Sequence, residues 1–209
     1  MRYGRDPASV GLVAVGKTQP AERIRALAEC GQRDFGENYL QEAMRKLDEL
    51  DGLALTWHFI GQLQANKTRA IAERFAWVHT LDRERIAIRL NEQRPAYAPP
   101  LNICIQVRLE DEPGKGGVMP DETLALAQRV RQLPRLQLRG LMCIPPPRQS
   151  FDEQHAWFSR LAALQRSLNE HGCGLDALSM GMSADLEAAI AAGATWVRVG
   201  AAIFGERST

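Results

Sequence analysis

Cysteine is scarce in this chain of 209 residues, where it occurs only as Cys30, Cys104, Cys143 and Cys173. These four are widely spaced, with no CxxC pair and no cysteine-histidine cluster, so nothing indicates a disulfide scaffold or a zinc site. We expect them to be reduced and mostly in the core. The four histidines also lack a metal-binding spacing, and each is expected to be a core or surface side chain.

One-sided charge and long apolar runs are also missing. The 26 basic residues balance 25 acidic ones, so electrostatics gives no reason to expect nucleic acid or an anionic membrane as a partner. The longest apolar runs are strand-sized, far below the roughly 20 residues of a membrane span. No signal-peptide pattern opens the chain. We therefore expect a cytoplasmic protein.

Short apolar strands alternate with amphipathic helices along the chain. Predicted strands cover 12–15, 33–36, 57–61, 77–81, 101–109, 139–144, 175–180 and 196–199, and predicted helices cover 20–30, 39–50, 66–74, 82–93, 121–133, 151–171 and 184–192. Residues 1–10 predict no firm element. This alternation favours an α/β fold, a single (β/α)8 TIM barrel over residues 1–209. An open doubly wound sheet shows the same alternation, but no GxGxxG follows the first strand to indicate a dinucleotide site.

A single lysine, Lys17, stands at the end of the first predicted strand. In a partly dry cleft an ammonium loses hydration and its pKa falls, so the neutral amine becomes available for Schiff-base chemistry with a carbonyl ligand. Most lysines after strands are solvated loop residues. A functional role for Lys17 is supported only by the other features of the sequence. In a barrel we expect Lys17 to face Arg198 and Gly200 across the mouth.

Small residues and hydroxyls follow the last two strands. Ser179, Gly181 and Ser183 precede a helix, and Gly200 and Ala201 follow strand 8. Loops at these places form the usual phosphate site of a TIM barrel, because their N–H groups can approach an anion. Helix capping by Ser183 is the ordinary alternative. The segment 114–117 has lysine among glycines but lacks the P-loop spacing, which favours a lid or a solvent loop.

Five motifs together resemble the pyridoxal phosphate homeostasis protein family. They are Ala14-Val15-Gly16-Lys17-Thr18, Phe35-Gly36-Glu37-Asn38-Tyr39, Trp57-His58-Phe59-Ile60-Gly61, Leu178-Ser179-Met180-Gly181-Met182-Ser183, and Val197-Arg198-Val199-Gly200 with Ile203-Phe204-Gly205. The resemblance runs from about Val10 to Arg207. It implies the barrel of alanine racemase, bound pyridoxal 5′-phosphate (PLP) and no established turnover.

The resemblance also implies a role for particular residues. Lys17 is the expected Schiff-base lysine, and Arg198 the partner of the pyridine nitrogen. Ser179, Ser183, Gly200 and Ala201 are expected to hold the phosphate, and Asn38 to line the pocket. Two features depart from the family: Gly16 replaces the usual serine before the lysine, and the usual N-terminal helix before strand 1 is missing.

These observations favour a monomeric carrier or regulator of PLP that serves intracellular PLP homeostasis, with apo-enzymes as recipients. A PLP-dependent amino-acid racemase is the first alternative. It would need a second base opposite the lysine, and only His58, His79 or Tyr39 are available. A cofactor-free phosphate-binding isomerase is the second alternative, suggested by the barrel alone.

Overall fold

The computed structural model describes residues 2–110, 114–147 and 149–205. They form eight strands and eight α-helices. The strands are β1 (Gly11–Val15), β2 (Asp34–Glu37), β3 (Thr56–Phe59), β4 (Trp77–Leu81), β5 (Leu101–Gln106), β6 (Leu136–Met142), β7 (Ala177–Ser179) and β8 (Trp196–Val199). The helices are α1 (Ala21–Glu29), α2 (Leu40–Glu49), α3 (Thr68–Arg74), α4 (Glu84–Gln93), α5 (Thr123–Arg131), α6 (Phe151–Glu170), α7 (Leu186–Ala191) and α8 (Ala201–Phe204).

All eight strands are parallel and close into a barrel in chain order. The closing pair joins β1 to β8, with Val13 opposite Arg198 and Ala14 opposite Val199. Closure confirms the predicted (β/α)8 barrel and rules out the open sheet. It also makes the first and last strands direct neighbours, so residues from the two ends of the chain meet at one place on the mouth.

The apolar core has two parts. The larger cluster packs the helices against the outer face of the barrel. The smaller one lies inside the barrel and contains Trp77, Cys104, Met142 and Ala177, with the half-buried Trp196 against it. Side chains alternate between the two faces of each strand, which is how one sheet supplies both clusters. Filling of the interior by side chains is characteristic of barrels of this size.

Most predicted elements are confirmed, and the differences are local. β6 begins at Leu136 rather than at Arg139, because Leu136 and Leu138 are both buried and continue the strand alternation backwards. Asp82 does not cap a helix: α4 starts at Glu84 with Arg83 in the cap position, and Asp82 instead accepts a hydrogen bond from the Arg83 side chain. The tail after β8 contains a short helix, α8, that was not predicted.

The residues before β1 also have structure that was not predicted. Short 3-10 turns occupy residues 2–4 and 7–9. Arg5 ties them to the end of α7 by donating hydrogen bonds to the carbonyls of Ile190 and Ala194. Within the described ranges, no helix is both long enough and apolar enough to span a membrane.

Candidate functional site

The turn that carries Lys17 is fixed by hydrogen bonds on both sides of the lysine. Gly16 donates its N–H to the carbonyl of Gly36 at 3.0 Å and accepts from the N–H of Gln19 at 2.9 Å. Thr18 has a φ of 65°, a left-handed conformation that is costly for a β-branched residue. Its N–H donates to Glu42 Oε1 at 2.6 Å, and this contact holds the unusual backbone. Lys17 itself is half-buried.

A buried charge cluster lies directly behind this turn. The Lys46 ammonium donates to the Gly16 carbonyl at 2.6 Å, to Glu37 Oε1 at 2.7 Å and to Glu42 Oε1 at 2.5 Å. Burial raises the pKa of Glu37 from 4.5 to about 7, and the hydrogen bond and charge of Lys46 offset only part of that rise. Because Lys46 holds the carbonyl just before Lys17, this cluster sets the direction in which the lysine leaves the strand.

The sequence analysis missed this cluster, although two signals point to it. Lys46 falls within the buried stripe of α2, next to Leu47 and three residues after Ala43. A charged side chain there needs a buried partner. Glu37 follows the buried residues Phe35 and Gly36 at the end of its strand.

The glycine before the lysine is explained by the same cluster. A Cβ at Gly16 would lie 2.7 Å from Glu37 Oε1 and 3.0 Å from Ile24 Cδ1. Glycine therefore lets the Glu37 carboxyl and α1 press directly against the strand end. The departure from the usual serine accompanies this close approach.

The structure brings Lys17 together with the two residues after β8. A small pocket of about 70 Å³ is lined by Lys17 and Thr18 on one side and by Gly200 and Ala201 on the other. The expectation that Lys17 faces strand 8 across the mouth is wrong: β1 and β8 are adjacent, so the two sides of the pocket are neighbours. A pocket of this size suits a small group such as a phosphate rather than an entire aromatic ring.

The loop after β7 joins this pocket through Ser183. Its exposed hydroxyl accepts from the N–H of Ala202, near the start of α8, at 3.4 Å. Capping of the helix that follows, α7, does not involve Ser183, since Asp185 occupies its N-cap position. Asp185 accepts instead from the N–H of Met182 at 2.6 Å. Ser183, Gly200 and Ala201 therefore lie around one end of the mouth, as the sequence predicts for a phosphate site.

Arg198 is buried on the inner side of the same strands. It donates through Nη1 to Ser179 Oγ at 2.9 Å and through Nη2 to the carbonyl of Cys143 at 3.0 Å. Both partners are neutral, and within residues 2–110, 114–147 and 149–205 no carboxylate pairs with this guanidinium. Burial lowers the pKa of Arg198 from its usual value, but a guanidinium starts so high that the side chain stays charged at neutral pH.

The remaining site predictions are placed as follows. Ser179 is buried at the end of β7, and its hydroxyl lies between Arg198 and His79 rather than in the pocket beside Lys17. Asn38 follows β2 at the mouth, with a buried Oδ1 that has no partner within the described part of the chain. The segment 114–117 is pinned at its end, since the Gln106 side chain donates to the Gly116 carbonyl. Part of that loop, 111–113, lies outside the described residues.

Thiol and metal chemistry receive no support. Cys104, Cys143 and Cys173 are buried free thiols, as expected, and Cys30 is exposed. Burial raises the pKa of Cys104 and of Cys143 to about 12, which leaves these thiols protonated and unreactive. In the described ranges, no cluster of three or more histidine, cysteine, aspartate or glutamate side chains could hold a metal ion.

Fold and site together define a barrel of the alanine racemase type with a lysine at the end of β1. A family model described as "Alanine racemase, N-terminal domain" matches residues 8–208. The alanine racemase of Clostridium difficile has the same fold: it superposes with a TM-score of 0.80 at 13% identity over 96% of this chain and 53% of its own. At that identity the likeness concerns the fold alone.

Comparison with nearer relatives gives the family. The pyridoxal phosphate homeostasis protein of Pseudomonas aeruginosa is 60% identical over 98% of this chain and 87% of its own length. PipY of Synechococcus elongatus, in its structure with PLP bound, superposes with a TM-score of 0.88 at 40% identity, covering 98% of this chain and 96% of that one. The chain belongs to the pyridoxal phosphate homeostasis protein family.

Proposed function

We propose that this protein binds PLP as a Schiff base on Lys17 and acts as a carrier or regulator of the cofactor within the cell. The observation that carries the proposal is the pocket shared by Lys17, Gly200 and Ala201. Arg198 is buried on β8, the strand that leads to Gly200. A relative with PLP bound and homologues named for PLP homeostasis support it.

The residues at the mouth fit such a ligand. Ser183 offers a hydroxyl. Gly200 has no side chain and Ala201 only a methyl group, so an anion can come close to their N–H groups. A Cβ built at Gly200 would lie 3.4 Å from Val15, so the backbone after β8 packs closely against the end of β1. The partnerless Oδ1 of Asn38 would gain a donor from a bound polar group.

The covalent step is assigned to Lys17. PLP supplies an aldehyde that condenses with an amine and a ring that withdraws electrons from it. Lys17 stands at the pocket, on a turn that Lys46 and Glu42 hold from behind. Lys46 is the nearby competitor, but its three bonds to Gly16, Glu37 and Glu42 engage its ammonium inside the protein.

A carrier fits the site better than a racemase does. A charged Arg198 placed beside the ring nitrogen would disfavour a second positive charge there and so weaken the ring as an electron sink. Racemisation could still proceed with bases on both faces of the substrate. However, His58 and His79 are fully buried and hydrogen-bonded to each other inside the barrel, and Tyr39 is 58% exposed at the start of α2. We propose that the site has no turnover of its own, and further that the protein is monomeric and cytoplasmic and delivers PLP to apo-enzymes.

The test uses borohydride reduction of the PLP-loaded protein followed by peptide mapping. The wild-type protein is expected to show Schiff-base absorbance and to carry the reduced cofactor on Lys17. The variant Lys17→Ala should remain folded and lose both signals, because Lys17 supplies the amine among the described residues that line the pocket. Lys67→Ala, which removes a lysine from the start of α3, is the matched control and should keep both. Recovery of the label on Lys46, Lys67 or Lys115 would overturn the assignment.

A further inference from the structure

A continuous chain of polar side chains crosses the interior of the barrel. Arg198 Nη1 lies 2.9 Å from Ser179 Oγ, which lies 2.7 Å from His79 Nδ1. His79 Nε2 lies 2.9 Å from His58 Nδ1, and His58 Nε2 lies 2.9 Å from Asp34 Oδ1. Strands β4 and β7 are not neighbours in the sheet, so the contact between His79 and Ser179 runs through the interior.

The two ends of this chain differ in exposure. Arg198, Ser179, His79 and His58 are all buried. Asp34 is the first residue of β2, and its side chain is 28% exposed at the amino-terminal end of the barrel. The chain therefore connects solvent at one end of the barrel with the guanidinium near the other end, where the pocket lies.

When both histidine rings are neutral, the chemistry of the two ends fixes every proton between them. A guanidinium can only donate and an ionised carboxylate can only accept. Ser179 accepts from Arg198, so its own proton points to His79 Nδ1. His79 then carries its proton on Nε2 and donates to His58 Nδ1. His58 carries its proton on Nε2 and donates to Asp34.

This assignment makes both histidines neutral and gives each the Nε2–H tautomer. Burial lowers the pKa of His58, against an opposing effect of Asp34. Burial also places the pKa of His79 well below the usual value, and the positive charge of Arg198 lowers it further. Both shifts agree with neutral rings. Aromatic neighbours keep the rings in place, since His58 stacks on Trp77 with ring centres 5.6 Å apart and meets Trp196 at 5.2 Å.

The opposite direction would leave the chain broken. With a proton on His79 Nδ1, Ser179 would accept from both neighbours and its own hydroxyl hydrogen would have no partner in the chain. His79 Nε2 would then have to accept from His58 Nδ1–H, which leaves His58 Nε2 as a lone pair facing the Asp34 carboxylate. A buried mismatch of this kind is costly.

We propose that Asp34, His58 and His79 are positioning residues that fix, through the Ser179 hydroxyl, the place and hydrogen bonding of the Arg198 guanidinium. Their effect on a bound ligand rests on the proposed function, in which Arg198 faces the ring nitrogen of PLP. The hydrogen-bond chain from Arg198 to Asp34 does not depend on that function. Among the residues that the structure describes, the hydrogen-bond partners of Arg198 are Ser179 and the Cys143 carbonyl, so loss of the Ser179 contact frees one side of the guanidinium.

The first experiment needs no cofactor. Nitrogen-15 NMR of the histidine rings in the apoprotein should show His58 and His79 as neutral Nε2–H tautomers at neutral pH. A charged ring or an Nδ1–H tautomer at either position would overturn the assigned direction. The variant Asp34→Asn, at the exposed end, should change the ring signals of His79 as well as those of His58, because the whole chain depends on its acceptor. A change confined to the ring signals of His58 would contradict the prediction that Asp34 also affects His79.

The second experiment compares variants of His79 in the PLP-loaded protein. His79→Phe fills the space but offers no acceptor to Ser179. We expect a shift of the cofactor absorbance band and a Kd for PLP that is about tenfold higher, which corresponds to the loss of roughly one hydrogen bond. His79→Gln restores an acceptor and should recover part of both effects. His171→Gln, at the exposed end of α6, is the matched control and should change neither.

The outcomes separate this inference from the proposed function. A folded His79→Phe variant with unchanged cofactor absorbance and unchanged affinity for PLP would show that these hydrogen-bonded side chains only fill the barrel interior. The inference would then fail. If His79→Phe does not fold, Asp34→Asn is measured in the same way and decides the question. Failure of the wild-type protein to bind PLP would refute the proposed function. The histidine tautomers of the apoprotein would still confirm or refute the hydrogen-bond chain from Arg198 to Asp34.

Discussion

Replacement of Glu37 by glutamine tests which force dominates the charge cluster behind Lys17. Burial raises the pKa of Glu37 from 4.5 to about 7 in the folded protein, although Lys46 lies only 2.7 Å away. In the unfolded chain the carboxyl titrates near its ordinary value, so between these two values the folded state binds more protons. Stability then falls as pH rises through this window and is level above it.

The size of the effect follows from the same two values. The raised pKa corresponds to about 3 kcal/mol between the low-pH and high-pH limits. Most of this change, about 2 to 3 kcal/mol, falls between about pH 5 and pH 8. Glutamine keeps the shape without a titrating group, and Lys46 keeps its bonds to Glu42 and to the Gly16 carbonyl.

Urea unfolding of both proteins across this pH range gives the measurement. The free energy of unfolding of the wild-type protein should decline relative to Glu37→Gln by that amount as pH rises. Glu49→Gln removes an exposed carboxyl from α2, the helix that carries Lys46, and serves as the control for loss of one surface charge. If the ion pair with Lys46 dominated instead, the pKa would be depressed and the wild-type protein would gain stability with rising pH. That result, or no pH dependence, would refute the reasoning.

Two further predictions concern the ligand. Pyridoxal without its phosphate should bind at least about tenfold more weakly than PLP in an absorbance titration, because charge-assisted hydrogen bonds are worth about 1.5 to 3 kcal/mol each; equal affinities would contradict a phosphate site formed by Ser183, Gly200 and Ala201. In deuterated water, alanine incubated with the PLP-loaded protein should take up no steady deuterium at its α-carbon. Continuous uptake over many turnovers, abolished in Lys17→Ala, would favour the racemase.

The parts of the fold that depend on local pattern were predictable from the sequence. The alternation of strands and helices, with no GxGxxG after the first strand, favours the barrel over an open sheet, and Lys17 stands out as a candidate because a lysine follows a buried apolar strand. Ser183, Gly200 and Ala201 followed from small residues after strands 7 and 8. Each of these inferences needs only a short window of sequence and a rule about strand ends.

The features that were missed depend on contacts between distant parts of the chain. Lys46 reads as one more cation on an amphipathic helix until β1 and β2 place Gly16 and Glu37 against it. His79 lies 100 residues before Ser179, and only the closed barrel brings their strands together. The boundaries of β6 and the absence of an Asp82 cap depend on packing and on backbone angles. Hydrophobic periodicity and secondary-structure propensity predict such details poorly.

Closure of the barrel is itself what creates the site. In an open sheet with the same strand order, β1 and β8 would form opposite edges, and Lys17 would lie far from Gly200. The seam between these strands begins at Gly11, which pairs with Trp196. A Cβ at Gly11 would lie 2.3 Å from the Trp196 ring, so any larger residue would displace an indole that also packs against His58 and Trp77. Two residues further along the same pair of strands, Val13 lies opposite Arg198. The register that admits the indole therefore also places the arginine beside the strand that ends in Lys17.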